Sequence, residues 1–147
     1  MENYKHILLA ADFFSHGEAV AARAKDLADK YQAKLSILHV LESLPLTDPA
    51  YGSVVPYDMD LTAEMMKAAK KRLAKLGEDL KVPEQSQLIE LGSPKLEIVR
   101  IAQENKVDLI VVGSHGRHGL ALLLGSTANG VLHRATCDVV AVRLPES

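Results

Sequence analysis

The sequence has few aromatic residues and no large excess of charge of either sign. It contains no tryptophan, four tyrosines and two phenylalanines, and its 17 lysines and arginines against 19 acidic residues give a formal net charge of −2. A nucleic-acid-binding surface usually needs a basic face, and a platform on which bases stack needs several aromatic side chains. We therefore expect no nucleic-acid partner.

Cysteine and long hydrophobic runs are also scarce. Cys137 is the single cysteine and cannot form an internal disulfide, which favours a reducing compartment. The first apolar run, from Ile7 to Ala11, is too short for a signal peptide or a membrane span, and no basic segment precedes it. These features predict a cytoplasmic protein without a membrane partner.

The apolar fraction of 48% and the charged fraction of 24% are typical of a globular domain. The 147 residues are enough for a hydrophobic core, and no second region of different composition interrupts them. We predict one domain over residues 1–147.

Two hydrophobic periodicities alternate along the chain. Short apolar runs predict five strands, and spacings of three and four residues between apolar positions predict the helices that separate them. The predicted strands are 4–11, 35–41, 87–91, 109–112 and 139–142, and the helices begin near 15, 61, 94 and 127. Residues 42–60 are expected to form a long irregular connection. The pattern predicts an α/β fold: an open five-stranded parallel sheet of order 3-2-1-4-5 with helices on both faces.

Three local features refine the predicted helices. Ser15 and Glu18 have the spacing of a capping box, in which each side chain satisfies an amide of the first turn. Ser93 is a candidate cap for the third helix, with Pro94 at its first position. Gly130 is expected to weaken the fourth helix.

In such a sheet, ligands bind beyond the carboxyl ends of the strands where the strand order reverses. Asp12 follows the first strand and the glycine-rich segment 113–119 follows the fourth, so we expect them to face one crevice. Gly125, Ser126 and Thr127 lie where the last helix begins, and free amides at such a position favour phosphate. A second interpretation stays open, in which this segment is only a turn and Ser126 or Thr127 caps the helix.

Several motifs in the same order resemble those of the universal stress protein (UspA) family, and the match covers essentially the whole chain. They are Tyr4 to Leu8 with Asp12, Ile37 to Val40, Asp108 to Arg117, and Gly125 with Ser126. The resemblance implies a Rossmann-like fold of the adenine nucleotide alpha hydrolase-like kind. It also implies a nucleotide-responsive stress protein that binds ATP, with or without magnesium.

The resemblance assigns roles to individual positions. Asp12 and Val40 would contact the adenine end, with Ala10 and Ala11 standing where the family usually has proline and threonine. Gly113 and Gly116 would line the ribose and phosphate path, Arg117 could pair with phosphate oxygens, and the segment Gly125, Ser126, Thr127 would hold phosphate.

Two departures from the family pattern favour an alternative without nucleotide. Eight residues, 117–124, separate Gly116 from Gly125 where the nucleotide-binding pattern has nine, which could shift the Gly125 amide relative to Gly113. The change to Ala10-Ala11 removes a hydroxyl from the pocket. The alternative is a dimeric interaction module that binds no nucleotide.

The sequence offers no strong sign of a dedicated enzyme. It has no P-loop, and so no motif lysine at the β- and γ-phosphates, and it has no Gly-x-Ser-x-Gly nucleophile elbow. Slow ATP hydrolysis or autophosphorylation at Ser114, Ser126 or Thr127 is a further alternative. His115 and His118 have metal-like spacing, but no third ligand is near them in sequence, so we predict no metal site.

The last strand is predicted to lie at an edge of the sheet. Its apolar run from Val139 to Val142 is of the kind that pairs with another chain. The resemblance implies that this strand pairs antiparallel with its twin in a homodimer. His39 and Cys137 are predicted to be core residues.

Overall fold

The computed structural model describes residues 3–13, 17–42, 47–48, 53–54, 59–114 and 125–144. In chain order the strands are β1 (His6–Ala10), β2 (Lys34–Leu41), β3 (Thr47–Asp48), β4 (Ser53–Val54), β5 (Gln87–Leu91), β6 (Leu109–Gly113) and β7 (Asp138–Val142). The helices are α1 (Gly17–Tyr31), α2 (Met59–Leu80), α3 (Pro94–Glu104) and α4 (Ser126–Arg134), and a short 3-10 helix, Glu84–Ser86, precedes β5.

Five strands form one sheet in the order β5-β2-β1-β6-β7, and every neighbouring pair is parallel. This is the predicted order 3-2-1-4-5, so the predicted fold class is confirmed. From the sequence, residues 42–60 are expected to be irregular, but β3 and β4 lie within this connection and pair antiparallel. Each of these strands has two residues, too few to produce an alternating sequence pattern.

Two hydrophobic layers enclose the sheet. Successive side chains of a strand point to opposite faces, and in β1 Ile7 and Leu9 pack into one core cluster while Leu8 packs into the other. The first cluster contains Val20 of α1 and Leu73 of α2, and the second contains residues of α3 and α4. Helices α1 and α2 therefore cover one face, and α3 and α4 cover the opposite face.

The start of α3 differs from the prediction in its capping. Ser93 is the N-cap residue and Pro94 follows it, but the Ser93 side chain makes no capping hydrogen bond. The Ser93 carbonyl oxygen instead accepts the N–H groups of Leu96 and Glu97 at 3.1 and 2.9 Å. The predicted capping box cannot be compared in the same way, since Ser15 lies outside the described residues.

The amino-terminal edge of the sheet is held by Asp108. Its carboxylate accepts the N–H groups of Lys5 at 2.9 Å and His6 at 3.0 Å, and its own N–H donates to the His6 carbonyl at 3.0 Å. These bonds join the start of β1 to the turn before β6, where β1 gains its second neighbour.

The His6 ring bridges two further elements at this edge. Nδ1 lies 3.0 Å from the Asn105 carbonyl oxygen, which can only accept, so Nδ1 carries the proton. Nε2 lies 2.7 Å from the hydroxyl of the buried Ser36. Burial lowers the pKa of His6 below its ordinary 6.5, and the nearby Lys34 acts in the same direction.

We expect His6 to make the free energy of unfolding fall as the pH drops. Above its ordinary pKa of 6.5 the ring is neutral in both states, and its contribution is complete. Below 6.5 the unfolded chain takes up a proton before the folded chain does, which stabilises the unfolded state. His6→Gln should therefore lose less stability than the wild type between about pH 7.5 and about pH 5 in denaturant titrations.

Lys70→Gln is the control for this comparison. It introduces the same residue at an exposed position on α2, and its pH dependence should stay close to that of the wild type. Equal pH dependence in the wild type and His6→Gln would contradict the assignment.

Candidate functional site

Strand β1 ends before the strands on either side of it. It pairs with β6 only as far as Leu9 and Val111. Strand β2 continues beside β5 to Leu41, and β6 continues beside β7 to Gly113. The neighbours of β1 extend past its last residue, Ala10, and leave a crevice at the point where the strand order reverses. Open α/β sheets bind ligands at this position.

The side chains at the end of β1 continue to alternate between the two faces of the sheet, and the Ala11 N–H still donates to the Leu38 carbonyl of β2 at 2.7 Å. Ala10 packs with Val40 against the core under α3 and α4, whereas Ala11 and Phe13 pack against the core under α1 and α2. Asp12, half-buried, lies between these contacts. The predicted site residues Ala10, Ala11 and Asp12 thus lie at the crevice beside β2.

Glycine is required where α1 begins, because the helix approaches the carbonyl oxygen of Asp12 very closely. A Cβ atom added at Gly17 would lie 2.1 Å from that oxygen. His39 fixes the same segment from the other side, since its Nδ1 donates to the Ala11 carbonyl at 2.9 Å. Its ring centroid lies 4.6 Å from that of Phe13. His39 is a half-buried residue with a hydrogen-bond partner and supports the shape of the crevice.

The ends of the glycine-rich loop are bonded to each other. The Gly125 N–H donates to the Ser114 carbonyl oxygen at 2.6 Å. The Ser114 N–H in turn donates to the Val142 carbonyl at 2.8 Å, and the Ser114 hydroxyl accepts the Leu144 N–H at 3.1 Å. The start of α4 therefore lies directly against the end of β6, although the spacer between Gly116 and Gly125 is one residue short.

Helix α4 begins at Ser126, and Gly125 is its N-cap. Ser126 and Thr127 are the first two helical residues, so the interpretation in which one of them caps the helix is wrong. Because Gly125 has no side chain, no side-chain oxygen at the N-cap position accepts the first-turn N–H groups of α4. Ser126 is exposed and Thr127 is half-buried.

Five of the predicted site residues line two cavities that share no described residue, whereas Val40, Gly113 and Gly125 line neither of them. One of about 730 Å³ is lined by Ala10, Ala11 and Asp12 together with the start of α1 and Leu76. The other, of about 310 Å³, lies where the first turns of α3 and α4 meet. Its described lining is Glu42, Gly92, Ser93, Pro94, Lys95, Ser126 and Thr127. Gly116, Arg117 and the two loop histidines lie outside the described residues.

Sequence reasoning missed Lys95. No motif lysine is available for phosphate in this chain, but α3 brings Lys95 into the same cavity as Ser126 and Thr127. The sequence does contain one indication of a role for Lys95. It lies in the first turn of a predicted helix, where the positive end of the helix dipole disfavours a cation.

Other chemistry is limited in the described part of the chain. None of its histidine, cysteine and acidic side chains form a group of three that could hold a metal ion. Cys137 is half-buried, and burial raises the pKa of its thiol, so it is a packing residue and not a reactive thiolate. No helix in the described ranges has the length and apolar character needed to cross a membrane.

Comparison with known proteins identifies the family. The profile described as the universal stress protein family matches residues 3–143. The chain belongs to this family. Universal stress protein A homolog 2 of Coxiella burnetii is 40% identical over the full length of both chains. Universal stress protein A homolog 1 of the same organism is 41% identical, over 98% of this chain and 99% of the relative.

Solved structures of universal stress proteins and related proteins have the same fold. Hypothetical protein MJ0577 superposes with a TM-score of 0.81 at 28% identity, covering 99% of this chain and 100% of that one. UspA of Lactobacillus plantarum gives a TM-score of 0.73 at 27% identity, covering 97% and 100%. A universal stress protein solved in complex with cAMP gives 0.65 at 24% identity, covering 97% and 98%. The Rossmann-like assignment is thereby confirmed.

Replacing Ser114 with alanine should loosen the contact between the end of β6 and the segment after β7. The change removes the acceptor of the Leu144 N–H in a residue that is only 7% exposed. An unsatisfied group of this kind costs about 1–3 kcal/mol. We expect a lower free energy of unfolding by about that amount and faster amide hydrogen exchange at Leu144.

The control is Ser126→Ala at an exposed position, which should change neither quantity appreciably. Unaltered exchange at Leu144 in Ser114→Ala would show that the bond is not formed in solution.

Proposed function

We propose that this universal stress protein binds an adenine nucleotide, ATP with or without magnesium, at the crevice beyond β1 and β6. The observation that carries the proposal is the hydrogen bond from the Gly125 N–H to the Ser114 carbonyl. It supports the proposal because it keeps the start of α4 against the end of β6. The short spacer therefore does not separate the two halves of the glycine motif.

The proposed binding mode assigns one part of the ligand to each group of residues. The adenine end would lie against Ala10, Ala11 and Asp12 at the end of β1 and against Val40 of β2. The ribose and phosphates would follow Gly113, Gly116 and Arg117 after β6. The terminal phosphates would lie at the start of α4, at Gly125, Ser126 and Thr127. The Ser126 and Thr127 N–H groups in the first turn of α4 suit an anion because they have no helical acceptors, whereas the Gly125 N–H already donates to Ser114.

The solved complex with cAMP adds a limited form of support. A protein with this fold holds a cyclic nucleotide, so the fold can accommodate one. At 24% identity the likeness is one of fold. The choice of ATP for this chain rests on the resemblance of its glycine motif to that of nucleotide-binding members of the family.

The protein is proposed to respond to nucleotide and not to turn it over as a dedicated enzyme. Bound nucleotide would change the choice of protein partner only if it has different affinities for two conformations. A candidate acceptor for slow autophosphorylation is Ser126, since it is exposed, whereas the Ser114 hydroxyl already accepts the Leu144 N–H.

The test is thermal unfolding of nucleotide-stripped protein with and without millimolar ATP and magnesium. A ligand at about 100 times its dissociation constant adds about 2.7 kcal/mol, which raises the Tm by several degrees in a domain of this size. Ser126→Glu should abolish the increase, because it places a carboxylate where the phosphates are proposed to lie. Glutamate in the first turn is itself favourable for a helix, so the variant should fold.

Ser126→Gln is the matched control, with a side chain of similar size and no charge. It should retain most of the increase in Tm. If saturating ATP leaves the wild-type Tm unchanged, the proposed nucleotide site is wrong and the dimeric interaction module becomes the better account.

A homodimer through β7 is the second part of the proposal. Strand β7 pairs only with β6 among the described residues and forms one edge of the sheet. The Val142 carbonyl points toward β6, where it accepts the Ser114 N–H. Because backbone groups alternate in direction along a strand, the Ala141 N–H points to the open edge. Such an edge can accept a second strand.

Ala141→Pro should dissociate the dimer without removing a bond to β6. Proline has no N–H, and it is tolerated on an edge strand when its missing donor faces outward. By sedimentation we expect the wild type at twice the chain mass of 16.0 kDa and Ala141→Pro at the mass of one chain.

Ala141→Ser keeps the N–H and should remain dimeric. Circular dichroism would verify that each variant is folded. A wild-type protein that sediments as one chain at micromolar concentration would refute the dimer.

A further inference from the structure

Lys95 occupies an electrostatically unfavourable position. It is the second residue of α3, close to the positive end of that helix's dipole. The cavity that it lines also receives the first turn of α4, which adds a second positive helix end. A cation at this place raises the energy of the empty site and lowers the energy of a site that holds an anion.

Packing holds the Lys95 side chain in place. A Cβ atom added at Gly130 of α4 would lie 2.6 Å from Cδ of Lys95, 2.8 Å from its Cβ and 3.2 Å from its Cγ. The stem of Lys95 therefore lies directly on the backbone of α4, which explains a glycine in the middle of that helix. Because the side chain is already half-buried, less conformational entropy remains to be lost when its ammonium binds a ligand.

The ammonium of Lys95 has no ionic partner in the described part of the chain. The ion pairs there join Lys25 to Asp29, Lys30 to Asp26, and Arg100 to Glu90, Glu97 and Glu104. Arg100, the other cation on α3, is thus surrounded by carboxylates, while Lys95 is not. Within the part of the chain that the structure describes, no ion pair neutralises the charge of Lys95.

One carboxylate, Glu42, also lines this cavity and opposes an anion. With Lys95 present, the two ionic side chains of the described lining balance each other. Without Lys95, Glu42 would be the one charged side chain of the described lining. Within that lining, Lys95 therefore offsets the repulsion between the Glu42 carboxylate and a phosphate.

We infer that Lys95 is a specificity-determining residue that makes the site prefer nucleoside polyphosphates over nucleosides and monophosphates. The inference rests on the proposed nucleotide site and adds to it the group that reads the phosphate charge. Lys95 supplies from α3 the cation that a P-loop would supply from its own motif. Glu42 sets a limit on this preference, because its carboxylate weakens the same field.

The experiment compares the affinities of ATP, ADP, AMP and adenosine by isothermal titration calorimetry. Lys95→Gln is the main variant, because glutamine keeps the Cβ, Cγ and Cδ atoms that pack on Gly130 and loses the charge. We expect ATP binding to weaken by about tenfold, which corresponds to about 1.4 kcal/mol, and adenosine binding to change by less than about twofold. Glu42→Gln should have the opposite effect and tighten ATP binding.

Two controls make the comparison specific. Lys70→Gln removes the same charge from an exposed position on α2, across the sheet from α3, and should leave all four affinities unchanged. Lys95→Arg keeps the charge and should recover part of the preference for ATP. Without nucleotide, the Tm of Lys95→Gln should be equal to or slightly above that of the wild type, because the substitution removes a cation from the positive ends of two helices.

The outcomes separate this inference from the proposed function. If the wild type binds ATP and Lys95→Gln binds it equally well, the role of Lys95 is refuted and the nucleotide site stands. If adenosine binding falls as much as ATP binding, Lys95 acts on the shape of the cavity and the inference is again wrong. If the wild type binds none of the four ligands, both proposals are overturned.

Discussion

The position of β1 in the sheet constrains the rest of the structure. β1 is bonded on both sides, to β2 and to β6, and Asp108 fixes its start to the turn before β6. Since its register is set at that end, its early termination at Ala10 necessarily opens the opposite edge. The crevice is thus a consequence of the length and register of β1. The regular backbone of this strand is enough to place the proposed ligand-binding residues at its edge.

The strands could be predicted because their sequence signal is local. The run from Leu109 to Val112 is uniformly apolar and is bounded by Asp108 and Gly113, which is typical of a strand buried on both faces. Strands β3 and β4 could not be predicted, because a two-residue strand has no periodicity. The sequence predicts Ser93 at the N-cap of α3, and the structure confirms this position. The sequence does not predict that the Ser93 side chain makes no bond to the first-turn N–H groups, because that depends on the side-chain rotamer.

The candidate site was only partly accessible to sequence reasoning. The glycines and hydroxyls of the proposed phosphate-binding segment lie close enough in sequence to form a pattern. The position of Asp12 after the first strand predicts it at the crevice, and the resemblance to the family adds Val40. Lys95 belongs to a different helix from Ser126 and Thr127, so only the packing of α3 on α4 brings them together. The prediction that Gly130 weakens its helix concerns helix propensity alone, and the structure adds that Lys95 packs closely against it. Both features involve tertiary contacts, which a local sequence pattern does not show.

The bond between Gly125 and Ser114 has a consequence for how this chain tolerates changes in length. It fixes the two residues that flank 115–124 to each other, and Ser114 is in turn bonded to Val142. The entropy of closing a flexible loop changes slowly with its length, by about 0.6 kcal/mol for each doubling. Insertions and deletions between these ends are therefore inexpensive, and a loop grafted from another protein would meet the same two attachment points. The bond between Gly125 and Ser114 can thus be kept while the sequence between these two residues changes.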